Sequence, residues 1–315
     1  MKGNISLYPF YFQFTVFSDY GPLRYLFFTL CLLIYLTIIF VNVVIILAVC
    51  LEKSLHQPMY IFICCLCCNS LYGSVGFFPR FLMDIVSDTH FISRQACFTQ
   101  AYMVFTYLGH ELTLLTVMAY DRFVAICQPL HYHSKMTMRR VKLLILISLV
   151  YPAVLIGSST RNLNSLKLCG ENLHRIFCTG WPLAQLSCEE DNTQRNIAGQ
   201  IIVMITVLFS MSVVLYTYLR ILLVCRRSSS EVRGKAFQTC LPHIVTFVNY
   251  CISVLCEFSL SRYDPDEANT VVIVVLSLEY LIIPPINNPL VYGLTLPRIR
   301  GVIFRRLKIH TQFFL

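Results

Sequence analysis

Glu111, Glu257 and Glu279 each interrupt a long apolar stretch. An ionisable group held away from water is costly, so such a group marks function by default. Glu111 stands among Leu108, Gly109, Leu112 and Thr113. It can pair with a cation, or it can be protonated and hydrogen-bonded within the bundle. Glu257 and Glu279 fall nearer the ends of their stretches and read equally well as wet rim groups. Asp121 and Arg122 are adjacent at the end of another stretch. Such a pair neutralises itself locally, and breaking it releases a guanidinium toward another helix or a partner protein. A plain interfacial anchor has the same appearance. The segment Pro284-Pro285-Ile286-Asn287-Asn288-Pro289-Leu290-Val291-Tyr292 combines ring residues that remove backbone donors with amides that can bond the freed carbonyls. It suits a switch, and also a kink with no switching role.

The cysteines divide into two groups. Of 15, Cys97, Cys169, Cys178 and Cys188 fall on one side of the apolar stretches, where an even number in an oxidising compartment implies disulfides. Sequence alone leaves all their pairings open. Cys64, Cys65, Cys67 and Cys68 resemble a metal cluster, but on a helix they point in different directions with no His or carboxylate to assist. They are read as small apolar filler.

The elements that position these groups are membrane spans. The chain is 57% hydrophobic and 13% charged, with mean hydropathy +0.66, whereas soluble domains carry about a quarter charged residues. A helix needs roughly 20 mainly apolar residues to cross a bilayer. Runs 25–51, 58–86, 97–119, 141–160, 197–224, 237–260 and 270–294 meet that need. Lipid offers no partner for an open backbone group, so helices are expected, and the runs are too uniformly apolar for barrel strands. The fold expected is an all-α membrane protein, a seven-helix bundle. Pro297 and the pattern Ile299, Val302, Ile303, Leu307 with interleaved arginines add a short amphipathic C-terminal helix.

Orientation follows the basic residues. With the N-terminus outside, most of the 25 Lys and Arg fall on the cytoplasmic side, around 135–142, 226–235 and 298–308. The net charge of +9 is then a topology signal and not a nucleic-acid footprint. Residues 1–24 form an extracellular tail without the features of a cleavable signal peptide. Residues 25–294 form the bundle, and 295–315 a cytoplasmic helix and tail. The tail carries the chain's one sequon at Asn4, a glycosylation candidate if lumenal. The long loop 161–196 is polar and, if disulfide-bonded, a lid over the outer end. No cofactor motif, Ser-His-Asp order or metal cluster points to an enzyme. A transporter would show repeats and a polar path, and neither is found.

The chain resembles the odorant (olfactory) receptor family of rhodopsin-like, class A G-protein-coupled receptors. Leu55-His56-Gln57-Pro58-Met59-Tyr60 is similar to the family's LHxPMY. Met118-Ala119-Tyr120-Asp121-Arg122-Phe123-Val124-Ala125-Ile126-Cys127-Gln128-Pro129-Leu130, continuing to Tyr132, is similar to MAYDRYVAICxPLxY. Leu186-Ser187-Cys188 with the other loop cysteines is similar to the family's long loop. Lys235-Ala236-Phe237-Gln238-Thr239-Cys240-Leu241-Pro242-His243 resembles KAFxTCxxH, and 285–292 resembles PxxNPxxY. The PMY-Ile-Phe wording is similar to the branch that takes water-soluble odorants, fish receptors among them.

The resemblance implies a small odorant ligand, a stimulatory heterotrimeric G protein and a rise in cyclic AMP, with no cofactor. A rhodopsin-like receptor for a non-odorant ligand is the alternative, ahead of a transporter or channel. It also implies disulfides Cys97–Cys178 and Cys169–Cys188, and an activation switch at Asp121 and Arg122 that rearranges with Asn288, Pro289 and Tyr292. Glu111 matches the family's acidic position on the third helix. Two departures stand out. Phe123 replaces the usual Tyr, and the expected second-helix Asp falls on Ser70, beside Asn69, which puts sodium binding in question. Helical spacing places Val104, Phe105, Leu108, Gly109, Met204, Val254 and Phe258 toward an apolar pocket. Arg262 either binds a ligand carboxylate or pairs with Asp264, Asp266 or Glu267 at the rim.

Overall fold

The computed structural model describes residues 9–17, 21–188, 193–226, 229–262 and 270–313. Seven long helices form the bundle: α1 (Leu23–Leu51), α2 (Pro58–Val86), α3 (Arg94–Cys127), α5 (Met138–Asn164), α7 (Thr193–Arg226), α8 (Ser230–Arg262) and α9 (Thr270–Thr295). A single turn, α4 (Tyr132–Lys135), follows α3. Helix α6 (Gly180–Gln185) lies in the long loop, and α10 (Pro297–Phe313) follows α9.

The solvent of the bundle is legible in α1. Cys31, Ile38, Asn42, Ile45 and Val49 are buried, while Leu26, Leu30, Leu33, Phe40 and Leu47 are exposed. Both sets recur at helical spacing, so the outward stripe is as apolar as the inward one. A soluble helix would place charge there, and so large an apolar surface needs lipid to cover it. Helices α5 and α7 carry similar outward stripes, including Leu146, Val154, Ile205 and Phe209.

Among the described residues, six helices are long and apolar enough to cross a membrane by composition alone. The seventh, α3, falls short because it carries His110, Glu111, Asp121 and Arg122. It is central, packing against α2, α5, α7 and α8, and needs little lipid-facing surface. It is also longer than the apolar run 97–119. Ser93 caps its start by accepting the Ala96 N–H at 3.3 Å, and the helix continues through Arg122 to Cys127. Similarly, Thr137 accepts the Arg140 N–H and starts α5.

Prolines inside the helices free carbonyls one turn earlier, and side chains from neighbouring helices take them. Pro152 leaves the Ser148 carbonyl open, and Thr113 Oγ1 of α3 donates to it at 2.8 Å. Pro289 leaves the Pro285 carbonyl open, and Asn42 Nδ2 of α1 donates to it at 2.8 Å. At these two positions a break in a helix becomes a bond between helices.

The outer end carries a small sheet that the sequence reading lacks. Strand β1 (Tyr11–Phe14) pairs antiparallel with β2 (Phe91–Ser93) and parallel with β3 (Asn172–Leu173). Phe12 and Phe14 point inward and are buried, packed with Ile92, Leu168 and Leu173. Burying one such side chain contributes about 1.5–3 kcal/mol. At the opposite end, Ile299 and Val302 of α10 are buried against the bundle, and Arg305 reaches Glu52 at 2.7 Å.

Candidate functional site: an outer cavity and an inner lock

The long loop is pinned in two places. Cys97 at the top of α3 is bonded to Cys178, and Cys169 to Cys188, as the family resemblance implies. The Cys178 N–H also donates to Gln100 Oε1 at 3.0 Å. The loop is therefore anchored to α3 by covalent and polar contacts together. Its helix α6 roofs a cavity of about 670 Å³ between α3, α5, α7 and α8. That size suits a small organic ligand.

Phe105, Leu108, Gly109, Met204 and Val254 border this cavity. Gly109 does so with no space for a side chain, since a Cβ there would sit 2.7 Å from Pro152 Cβ. Val104 is a correction. It is fully buried among Phe77, Phe78, Phe81 and Tyr107, one position and about 100° of helix rotation away from Phe105. The side chains of Phe258 and Arg262 lie outside the described residues, as do Asn4, Asp264, Asp266 and Glu267.

Trp181 was not singled out from the sequence, whereas Glu257 was, with a wet rim position as its alternative. Trp181 forms part of the roof, and Glu257 enters the wall from α8. Glu257 is 9% exposed, so it is no wet rim group. Arg175 of the loop lies within electrostatic reach of it. Burial pulls the Arg175 guanidinium down from its ordinary value, and the Glu257 charge opposes that shift.

Beneath the cavity a polar network joins four helices. Glu111 accepts from Asn69 Nδ2 of α2 at 3.0 Å and, through its other oxygen, from Asn288 Nδ2 of α9. Asn69 also donates to the Tyr107 carbonyl at 3.0 Å. His110 reaches Asn69 Oδ1 at 3.2 Å and the Leu149 carbonyl of α5 at 3.0 Å. Of the alternatives for Glu111, the structure adopts the hydrogen-bonded one. Both oxygens face amide N–H donors, which is not the oxygen-rich shell a hard cation takes. Among the described residues no group of three or more His, Cys, Asp or Glu can hold a metal. In this arrangement amide donors, and not a cation, face Glu111. Ser70, where the second-helix acid was expected, is buried, and its neighbour Asn69 makes the contact instead.

At the inner end Arg122 donates through Nε to Asp121 Oδ2 at 3.0 Å, and through Nη2 to the same oxygen. Tyr132 of α4 donates to the other oxygen, Oδ1, at 2.8 Å. Burial, and the Asp121 charge beside it, push the Tyr132 hydroxyl above its ordinary value, so it remains a donor. The Arg122 charge is felt by Tyr218, His243 and Tyr292, from α7, α8 and α9. Tyr218 Oη lies 2.5 Å from His243 Nδ1, and Tyr292 Oη lies 2.9 Å from Thr246 Oγ1. The inner end thus holds one ion pair braced by α4, near hydroxyl groups from α7, α8 and α9.

A lidded outer cavity, a polar waist and an ion-paired inner end on seven helices define a rhodopsin-type receptor fold. Squid rhodopsin superposes on 92% of this chain and 87% of its own with a TM-score of 0.73, at 15% identity. The olfactory receptor family profile matches residues 30–309, and the chain belongs to that family of G-protein-coupled receptors. Human olfactory receptor 51E1 is 33% identical, over 90% of this chain and 89% of its own length. Mouse olfactory receptor 5P58 is 33% identical, over 94% and 91%. The family consists of receptors and not enzymes, and the chain is a multi-pass plasma membrane protein.

Proposed function

We propose that this receptor binds a small, mainly apolar odorant in the cavity beneath the lid and signals through a stimulatory heterotrimeric G protein that raises cyclic AMP. The observation that carries the reading is the pairing of a roofed cavity with a closed Asp121–Arg122 lock on the same helix, α3. A ligand shifts the equilibrium between closed and open bundles only by its differential affinity for the two. Met204 and Val254 belong to helices α7 and α8, whose inner ends carry Tyr218 and His243. Ligand contacts in the outer half therefore bear on the helices that enclose Arg122. Opening the lock would free Arg122 toward the G protein, with Asn288, Pro289 and Tyr292 rearranging alongside.

In this reading residues 1–24 are extracellular, with Asn4 glycosylated, 25–294 are the receptor domain and 295–315 are cytoplasmic. The distribution of basic residues supports that orientation. The test is a cyclic AMP reporter assay with an odorant panel at matched surface expression. Wild type responds to an agonist, and Arg122→Ala loses at least tenfold of the maximal response. Equal responses would remove Arg122 from the switch.

A further inference from the structure

Glu257 is the one carboxylate among the described residues that border the cavity. The wall is mainly apolar, with Phe105, Leu108, Leu155, Met204 and Val254, and its other polar groups, such as Thr113, Asn162 and Tyr250, are uncharged. Its Oε2 is buried and has no hydrogen-bond partner. A buried carboxylate oxygen without a donor is costly, and native proteins keep such groups where something else completes them. Glu257 borders the cavity, and the lid's Arg175 is within electrostatic reach of it but does not border the cavity.

We infer that Glu257 is the polar anchor of the ligand, and that the ligand class is a neutral alcohol: an apolar body carrying one hydroxyl that donates to Glu257. This rests on the cavity being the ligand site, as proposed above.

Charge decides between the candidate head groups. A carboxylate would bring a second negative charge against Glu257. An ammonium would donate well, but Arg175 already stands within electrostatic reach of Glu257, so it would bring a second cation to the same carboxylate. Unpaired buried charge costs far more than a neutral hydroxyl. A hydroxyl adds no charge and supplies a donor to the carboxylate from the cavity that Glu257 borders. Its bond to a carboxylate is charge-assisted, and stronger than a bond to a neutral acceptor. The apolar wall then accounts for the remainder of the ligand. This ligand class differs from the carboxylate that Arg262 would take if it faced the pocket.

The experiment uses the full-length receptor purified in detergent, with 1-octanol, octylamine and octanoate as probes. Binding is read as ligand-dependent thermal stabilisation and is fitted for affinity. Wild type is expected to bind octanol more tightly than octylamine, and octylamine more tightly than octanoate. Glu257→Leu is expected to weaken octanol at least tenfold. Glu257→Gln, which keeps shape and a carbonyl acceptor, is expected to fall between them and guards against a folding defect in the leucine variant. Octanoate binding best, octanol binding equally to wild type and Glu257→Leu, or no octanol binding to wild type would each overturn the inference. Cyclic AMP is measured separately in cells with whichever probe binds. Binding that depends on Glu257 without a cyclic AMP response would sink the signalling reading and leave the anchor in place. A response indifferent to Glu257 would do the opposite.

Discussion

Asp121 is bonded through both of its oxygens. One oxygen takes Arg122 and the other takes Tyr132. Hydrogen bonds to a charged group contribute about 1.5–3 kcal/mol, so losing one changes a closed-to-open ratio by roughly tenfold or more. Tyr132→Phe is therefore expected to raise agonist-free cyclic AMP several-fold at matched surface expression. An unchanged basal level would remove Tyr132 from the lock. Glu111 yields a second expectation. With both oxygens held by Asn69 and Asn288, exchanging sodium for potassium should leave receptor melting temperature and agonist affinity unchanged. A clear sodium-specific rise in melting temperature would show that the network opens to admit the ion. The sequence displayed Asp121, Arg122 and Glu111 plainly because polar groups in apolar runs are conspicuous. It did not assign Tyr132 or Asn69 to them. Tyr132 follows a helix end, and Asn69 is on another helix, so their contacts depend on how the chain folds back. For Glu257 the sequence left two readings open for a related reason: distance along a helix gives depth, but not which way the side chain turns.

The helices themselves follow from run length and solvent, and α1, with apolar residues on both faces, shows why. Their rotations do not follow so readily. On α3, Val104 and Phe105 are both apolar, yet one is buried against α2 and the other borders the cavity. No hydrophobic pattern separates two apolar neighbours on a helix surrounded by other helices. The proline bonds are similarly invisible, since Thr113 with Ser148 and Asn42 with Pro285 pair distant parts of the chain. They are testable through stability. Thr113→Val should lower stability by about 0.5–2 kcal/mol, the range for polar contacts between membrane helices. In a Pro152→Ala background the Ser148 carbonyl regains its helical donor, and the same change should cost less. Thermal denaturation of the four combinations measures the coupling, and strictly additive effects would contradict the compensation. Strand β1 escaped notice because four residues with partners in β2 and β3 carry too little local pattern.

Taken together, the bundle has a rigid lid, a polar waist and an ion-paired inner end. The lid closes through two disulfides and a sheet built from three separate chain segments. Replacing Cys169 and Cys188 with Ser should loosen the roof over the cavity, lowering agonist affinity while the Cys97–Cys178 anchor holds the fold. A dose–response curve would show a right shift at unchanged maximum, and an unchanged curve would mean that this part of the loop does not shape the cavity. The central claim is that ligand occupancy at one end of α3 is read out at the other. The most direct measurement compares cyclic AMP dose–response curves and ligand-induced thermal stabilisation for wild type, Val254→Phe and Arg122→Ala with one agonist. Val254→Phe, which fills the cavity, should raise the half-maximal concentration at least tenfold and weaken the thermal stabilisation. Arg122→Ala should flatten the cyclic AMP response while the stabilisation persists. Unchanged agonist potency and stabilisation in Val254→Phe, together with full signalling by Arg122→Ala, would contradict the account.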